Sequence, residues 1–153
     1  MPHVSATWTS PSGSQCVATG SGGHSLVMDA PAGRTEWAGF KPSELLLAAL
    51  VGCSGVDFTS ILAKQRQHVT SISAEVHAEQ DSDPPWAFRT IDIVFTVRGE
   101  SLDRRAVDRA LALALERYCS VGATLAGTVA ITHSAVIERG EPIPCVNSPS
   151  AAH

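Results

Sequence analysis

The stretch that decides the fold is KPSELLLAALVGCSGVDFTSILAKQRQH, residues 41–68, which predicts one long helix with Cys53 near its middle. Pro42 favours a helix start, because its φ is already helical and the first turn does not need its N–H. Residues 45–51 are apolar on every face, which is typical of a helix buried all round. The far end becomes polar and basic from Lys64 onward, which suits the negative end of the helix dipole. We therefore expect a long buried central helix.

The same stretch bears on membrane insertion. Gly52, Cys53 and Ser54 interrupt the apolar residues and Asp57 follows, so fewer than about 18 unbroken apolar residues are present. The run is thus too short for a membrane span, and we expect a core helix of a soluble protein. Gly52 and Gly55 each cost about 1 kcal/mol in a helix interior. Either they allow close packing against another element, or they leave room for a substrate or a partner helix over the sulfur.

Length and composition predict one globular domain. The chain has 153 residues, of which 44% are hydrophobic, and a net charge of -4. This is enough for one domain with a core, and the composition argues against disorder. Basic residues form no cluster longer than Arg104-Arg105, so we expect no binding to nucleic acid. The first residues lack a basic segment followed by an apolar core, so no secretory signal is predicted and we expect a cytoplasmic protein.

Period-two alternation of apolar and polar residues predicts strands on both sides of the helix. A one-sided apolar stripe from Val107 to Tyr118 predicts a second helix, with Ser101 or Asp103 as its N-cap. A short turn over 123–127 should follow that helix. The expected strands are residues 5–9, 15–19, 24–28, 70–79, 90–97 and 128–137.

The order of these elements predicts an α+β fold with an antiparallel-rich sheet, because strands and helices are segregated rather than alternating. Residues 1–139 are expected to form a single domain, and the proline-rich residues 140–153 a flexible C-terminal tail. A helix that is apolar on all sides is hard to bury under one small sheet. We therefore expect an intertwined homodimer in which both sheets cover the central helices of two subunits.

The four cysteines, Cys16, Cys53, Cys119 and Cys145, are not paired as CxxC and match no zinc-ligand spacing. We expect neither a metal nor a bound cofactor. In a reducing cytosol such cysteines are either buried hydrophobic residues or chemically active thiols.

A reactive Cys53 needs a lowered thiol pKa, because the thiolate is the nucleophile. Its own helix cannot provide this, since the sulfur lies about 18 Å beyond the helix start at ~1.5 Å per residue and the dipole acts within the first turn. Apolar burial raises a thiol pKa, and so does a carboxylate such as Asp57 one turn further on. We therefore expect a cation from elsewhere, with Arg34 as the first candidate and Arg66 or arginines of the second helix as others.

Two segments resemble motifs of the OsmC/Ohr family of thiol-dependent peroxidases. Residues 42–54, PSELLLAALVGCS, are similar to its central-helix motif, and residues 118–125, YCSVGATL, to the second-cysteine motif of its OsmC-like branch. The separation of the two motifs and the order of the elements also fit, over residues 15–138. The resemblance implies an OsmC-like fold and a domain-entwined homodimer with two sites at the subunit interface.

By this resemblance Cys53 is the peroxidatic cysteine, whose thiolate attacks the peroxide O–O bond and becomes a sulfenic acid. Cys119 is the resolving cysteine, which condenses with it to a disulfide that an external thiol reductant, such as a dithiol, reduces by exchange. The family also uses an arginine and a glutamate near the peroxidatic sulfur, and Arg34 and Glu44 are the candidates here. The family's carboxylate position corresponds to Ser43. Glu44 is the nearest carboxylate, about half a turn out of phase with Cys53 at ~100° per residue.

Three functions are left open. The first is a two-cysteine peroxidase that reduces organic hydroperoxides and, more weakly, hydrogen peroxide. Apolar surroundings of Cys53 favour a lipid-like peroxide as its substrate. The second is an OsmC-fold protein without peroxidase turnover that binds an apolar ligand or acts as a thiol redox sensor. The third is a purely structural role for two buried cysteines.

Overall fold

The structure, a computed structural model, describes residues 1–9, 13–30 and 35–139 and has the predicted α+β fold. The chain groups into two compact units, one comprising Met1–Ala49 and the other beginning at Leu50. Each unit contains a three-stranded sheet. Arg34, Cys145 and the predicted tail lie outside the described residues. The prediction of a single domain over residues 1–139 stays a prediction.

The described residues contain six strands, three α-helices and one π-helix. The strands are β1 (Val4–Trp8), β2 (Cys16–Gly20), β3 (Ser25–Met28), β4 (His68–Gln80), β5 (Phe88–Glu100) and β6 (Ala130–Glu138). The helices are α1 (Pro42–Lys64), α2 (Arg104–Leu113) and α3 (Ser120–Leu125), and a π-helix (Ala114–Tyr118) separates α2 from α3. All six predicted strands are therefore present, with bounds that differ by a few residues.

The first unit is an antiparallel meander in the order β1-β2-β3. A turn that contains glycines joins β2 and β3. Gly23 has a φ of 80°, which glycine adopts without strain, and its N–H donates to the carbonyl of Gly20 at 2.9 Å. Further along, Phe40 donates its N–H to the carbonyl of Val27 at 3.2 Å, so the chain returns to β3 just before α1 begins.

The second unit is built on a sheet in the order β4-β5-β6. Strands β4 and β5 are antiparallel, as predicted, whereas β5 and β6 are parallel and are joined through the helices, as a parallel pair requires. Alternate residues of the central strand β5 are buried. They are Ile91, Ile93, Phe95 and Val97. Helix α2 packs against β6, and Asp103 is confirmed as its N-cap, because its carboxylate accepts the N–H of Arg105 at 3.0 Å.

Helix α1 is 23 residues long, but within one chain only a single stripe of it is buried. The buried residues are Leu50, Ser54, Phe58 and Leu62. Phe58 meets Phe95 edge-on, with ring centroids 5.1 Å apart, whereas Val56 is 71% exposed. Within a single chain only one side of α1 is covered, so burial on every face stays a prediction for the homodimer.

By length and composition, α1 is also long and apolar enough to cross a membrane. The mean hydropathy of its 18-residue window is 1.9, and 22% of that window is buried. The prediction that the run is too short for a span is wrong on these two criteria, because the glycines and the single carboxylate of Asp57 lower the mean too little. The core helix of a soluble protein meets the same criteria, so length and composition alone do not place α1 in a membrane.

The segment after α2, which contributes residues to the site described below, differs from the prediction. A turn was expected over residues 123–127, but α3 occupies most of that segment. Between the π-helix and α3, Cys119 has an extended backbone with φ -71° and ψ 106°. Helix α3 was missed because it is short, contains Gly122 and has no apolar periodicity.

Candidate redox site

Cys53 and Cys119 come together within the second unit. Cys53 projects from α1 and is half-buried, while Cys119, between the π-helix and α3, is only 2% exposed. Both are free thiols, and the side chain of each is among the causes that shift the pKa of the other. The fold therefore makes neighbours of the two cysteines that the family resemblance pairs.

Cys119 caps helix α3 through its sulfur. The backbone N–H of Gly122 donates to Sγ of Cys119 at 3.2 Å, in the position where a serine, threonine or aspartate oxygen usually caps a helix. The same Sγ lies 3.9 Å from the carbonyl oxygen of Leu50, to which the thiol can donate. A Cβ on Gly122 would lie 3.2 Å from the carbonyl oxygen of Leu115 and 3.5 Å from Sγ of Cys119. The sulfur is thus packed directly against a residue without a side chain.

The sulfur of Cys53 faces the start of the same short helix. Its Sγ lies 3.7 Å from the hydroxyl oxygen of Ser120. A hydrogen bond from the backbone N–H of Val121 is the main cause that lowers the pKa of Cys53, and burial acts in the opposite direction. Hydrogen bonds from the side chain of Cys119 and from Ser120 lower the pKa further. Donors around the sulfur therefore favour the thiolate.

A cation was expected to lower the pKa of Cys53, and among the described residues hydrogen-bond donors lower it. That expectation took account of the start of α1, which is too distant from the sulfur. It did not take account of the start of α3, because α3 had not been predicted. Hydrogen bonds to the charged form favour it in the same direction as a nearby cation does. Residues Ser120, Val121 and Gly122 are thus parts of the site that sequence reasoning missed. Their signal is weak because cysteine is not among the usual N-cap residues.

The two thiols have opposite pKa shifts. Burial is the main cause that raises the pKa of Cys119, the N–H of Gly122 partly offsets it, and the hydrogen bond with Cys53 raises the pKa again. This is expected if the thiol of Cys119 donates to the thiolate of Cys53, because loss of its proton would remove the bond and place two negative charges together. Cys53 is therefore the more acidic of the two thiols.

The other two predicted site residues belong to the first unit. Arg34 is outside the described residues. Glu44 lies at the start of α1, where one carboxylate oxygen accepts the backbone N–H of Lys41 at 3.2 Å and the other lies 3.7 Å from Nζ of Lys41. Glu44 thus stabilises the first turn of α1. A role for either residue beside Cys53 stays a prediction.

A cavity of about 310 Å³ borders α3, and Gly122 is part of its wall. Its surface combines small and apolar side chains with one polar pair, in which Nε2 of His133 lies 3.5 Å from a carboxylate oxygen of Glu116. The apolar residues around it include Leu115, Val129 and Ile131. Over residues 1–9, 13–30 and 35–139, no three His, Cys, Asp or Glu side chains are grouped so that they could hold a metal ion.

Comparison with known proteins places these observations in a family. A family model described as OsmC-like protein matches residues 33–134, and the chain belongs to this OsmC-like family. The predicted family and the predicted OsmC-like fold are both confirmed.

Individual relatives agree with this assignment. The chain is 39% identical to protein YhfA of Escherichia coli K12 over 112 residues, which is 73% of this chain and 81% of that protein. A hypothetical protein from Aquifex aeolicus VF5 superposes with a TM-score of 0.80 at 26% identity, covering 92% of this chain and 98% of that one. The organic hydroperoxide resistance protein OhrB of Bacillus subtilis superposes with a TM-score of 0.62 at 20% identity, covering 89% and 98%. The last comparison concerns the fold alone.

Proposed function

We propose that the protein is a thiol-dependent peroxidase that reduces organic hydroperoxides and, more weakly, hydrogen peroxide. The observation that carries the proposal is the pair of neighbouring free thiols with opposite pKa shifts, Cys53 and Cys119. A peroxidatic cysteine must be available as the thiolate, and a partner thiol must be near enough to form a disulfide. Helix α3 serves both requirements, because Cys119 is its N-cap and its first N–H groups act as hydrogen-bond donors to Cys53.

The proposed reaction proceeds in three steps. The thiolate of Cys53 attacks the terminal oxygen of the hydroperoxide, the O–O bond breaks, and the leaving alkoxide takes a proton to become an alcohol. The sulfenic acid on Cys53 then reacts with the thiol of Cys119, which forms the S–S bond and releases water. An external dithiol reduces the disulfide by exchange and is itself oxidised to a disulfide, so that two electrons pass from the dithiol to the peroxide.

The family gives this proposal its chemical context. OhrB, whose fold this chain shares, is described as an organic hydroperoxide resistance protein, whereas YhfA carries no functional description. Within the proposal, Arg34 and Glu44 assist Cys53, and their assignment rests on the family resemblance alone. A cytoplasmic location suits the mechanism, because a reducing compartment supplies the thiols that regenerate the enzyme.

We also propose that the protein works as an intertwined homodimer. Helix α1 is apolar over most of its length, yet one chain buries only a stripe of it and leaves Val56 71% exposed. All five residues of β1 are exposed as well. Exposed apolar surface of this kind marks an interaction site more often than a free surface. A second copy of the chain would cover α1 and shield the sulfur of Cys53 from bulk water.

The test is to mix the reduced protein with cumene hydroperoxide, count the remaining thiols and follow peroxide loss. We expect two thiols to be lost per chain, a disulfide between Cys53 and Cys119 in peptide mass spectra, and turnover when a dithiol is supplied.

Cys53→Ser should abolish peroxide consumption. Cys119→Ser should consume one equivalent and leave a sulfenic acid that a dimedone probe labels. Cys16→Ser is the matched control, because Cys16 is a buried cysteine of β2 outside this site. A wild type that keeps all its thiols at modest peroxide excess would refute the proposal.

A second function is supported by the cavity of about 310 Å³ beside α3. Its size is near the lower end for small-molecule sites, and its apolar walls with one polar pair are typical of them. An OsmC-fold protein that binds an apolar ligand, or that senses oxidants through Cys53 and Cys119, would form the disulfide without sustained turnover. Stoichiometric thiol loss with no peroxide turnover in the presence of several dithiols would favour this function over the peroxidase.

A further inference from the structure

Ser120 lies beside the sulfur of Cys53. Its hydroxyl oxygen lies 3.7 Å from Sγ of Cys53, within the range of hydrogen bonds to sulfur. Its backbone N–H is also among the hydrogen-bond donors that lower the pKa of Cys53. The carbonyl of Ser120 accepts the hydroxyl of Thr124 at 2.8 Å, which holds its backbone in the first turn of α3. A thiolate has no proton to give, so when Cys53 is ionised the hydroxyl of Ser120 must be the donor.

We propose that Ser120 is a positioning residue for the thiolate of Cys53, to which it donates from both its hydroxyl and its backbone N–H. Neither Cys53 nor Cys119 can be replaced without loss of the reacting sulfurs, but Ser120 takes no part in the bonds that form or break. Its role is to raise the fraction of Cys53 that is ionised near neutral pH and to hold the sulfur towards Cys119. The effect on the thiolate is independent of the peroxidase, whereas its consequence for catalysis rests on the proposed function.

Other groups near Cys53 act on the same ionisation and must be kept constant in the test. From the segment that precedes α3, a hydrogen bond with the side chain of Cys119 also lowers the pKa of Cys53. From α1 itself, Asp57 follows one helical turn later, and a carboxylate there opposes the thiolate. The N–H of Val121 remains in every variant of Ser120. A change in the behaviour of Cys53 in these variants therefore reports the donors of Ser120.

The backbone allows the two donors to be removed in turn. Ser120→Ala removes the hydroxyl and keeps the N–H. Ser120→Pro removes both, and proline is well suited to this place because Ser120 is the first residue of α3. The preceding residue, Cys119, already has the extended backbone that a residue before proline prefers, with φ -71° and ψ 106°. Ser120→Thr keeps both donors and serves as the conservative variant.

The experiment measures the rate of Cys53 alkylation by iodoacetamide against pH, with Cys53 peptides quantified by mass spectrometry. In Ser120→Ala the midpoint should rise by about half to one pH unit, which corresponds to the loss of one ordinary hydrogen bond. In Ser120→Pro it should rise further, and in Ser120→Thr it should stay at the wild-type value. Thr124→Ala is the matched control, because it removes a hydroxyl from the same helix without contact to the sulfur. Its midpoint should not move.

Unchanged midpoints in both Ser120→Ala and Ser120→Pro would overturn the proposal. So would equal shifts in Thr124→Ala and Ser120→Ala, because a looser α3 would then explain both. If circular dichroism shows that Ser120→Pro does not fold, the alkylation midpoints of Ser120→Ala and Ser120→Thr still test the proposal. Peroxide consumption is recorded separately for the same variants. A shifted midpoint in a protein that consumes no peroxide would contradict the peroxidase and leave the assignment of Ser120 intact.

Discussion

The sulfur of Cys119 accepts the backbone N–H of Gly122 at 3.2 Å and thereby caps helix α3. Cys119, which is proposed to form the disulfide, is thus also the N-cap of α3. The N–H groups at the start of this helix lower the pKa of Cys53. The proposed disulfide would redirect the sulfur of Cys119 towards Cys53. In the proposed mechanism the redox state of the site and the start of α3 would therefore be coupled through a single atom.

The cap can be separated from the redox role by two substitutions of Cys119. In Cys119→Ser the hydroxyl can accept the N–H of Gly122 and donate to the carbonyl of Leu50, so the cap is retained. Cys119→Ala loses it, and we expect that variant to be less stable than Cys119→Ser by about 0.5–2 kcal/mol. Urea unfolding of the reduced proteins measures the difference. Neither variant can form the disulfide, so equal stability in the two would show that the cap contributes nothing.

The opposite pKa shifts predict two separate pH profiles in the reduced protein. The pKa of Cys53 is lowered, chiefly by the N–H of Val121, so its thiolate should be fully formed at a lower pH than that of an ordinary cysteine. The pKa of Cys119 is raised, chiefly by burial, so its thiolate should appear only at a higher pH. Alkylation of each cysteine, followed against pH by peptide mass spectrometry, should therefore reach half-maximum first at Cys53. The reverse order would contradict the arrangement of donors described above.

Val56 provides the test of the homodimer. It is 71% exposed in one chain, so Val56→Glu should leave the folded chain intact while placing a charge in the proposed interface. We expect light scattering to give twice the chain mass of 16.0 kDa for the wild type and a mass near that of one chain for the variant. Ser82→Glu, in the exposed turn between β4 and β5, is the control and should remain dimeric. A monomeric wild type would refute the homodimer.

Arg34 is tested through the ionisation of Cys53. If its guanidinium lies beside the sulfur, Arg34→Ala should raise the pKa of Cys53, since a nearby cation favours the thiolate, and Arg34→Lys should restore part of the effect. The midpoint of Cys53 alkylation against pH measures both variants. Arg66→Ala tests the other candidate in the same way, and Arg89→Ala is the control, because Arg89 pairs with Asp81. An unchanged midpoint in Arg34→Ala would remove Arg34 from the site, and the donors of α3 would then account for the activation of Cys53.

Much of the fold could be predicted from the sequence because its signals are local. The period-two strands, the glycine turn at Gly23 and the cap at Asp103 each depend on residues that lie close together along the chain. The path after α2 was predicted less well. A π-helix and the short helix α3 depend on how the chain packs against its neighbours, and neither leaves a periodic pattern in the sequence.

The sequence by itself determined the family and the α+β class and predicted Cys53 and Cys119 as the site, because motifs and periodicity are properties of the chain alone. Only the tertiary structure decided which hydrogen-bond donors surround Cys53. The N–H groups at the start of α3 are backbone groups that every sequence contains, and they lower a pKa only where the fold directs them at a sulfur. The burial of α1 also depends on the tertiary structure, although the composition of this helix suggested burial on all sides. Its burial depends on which surfaces meet it, and within one chain a single sheet covers only the stripe that includes Leu50 and Phe58.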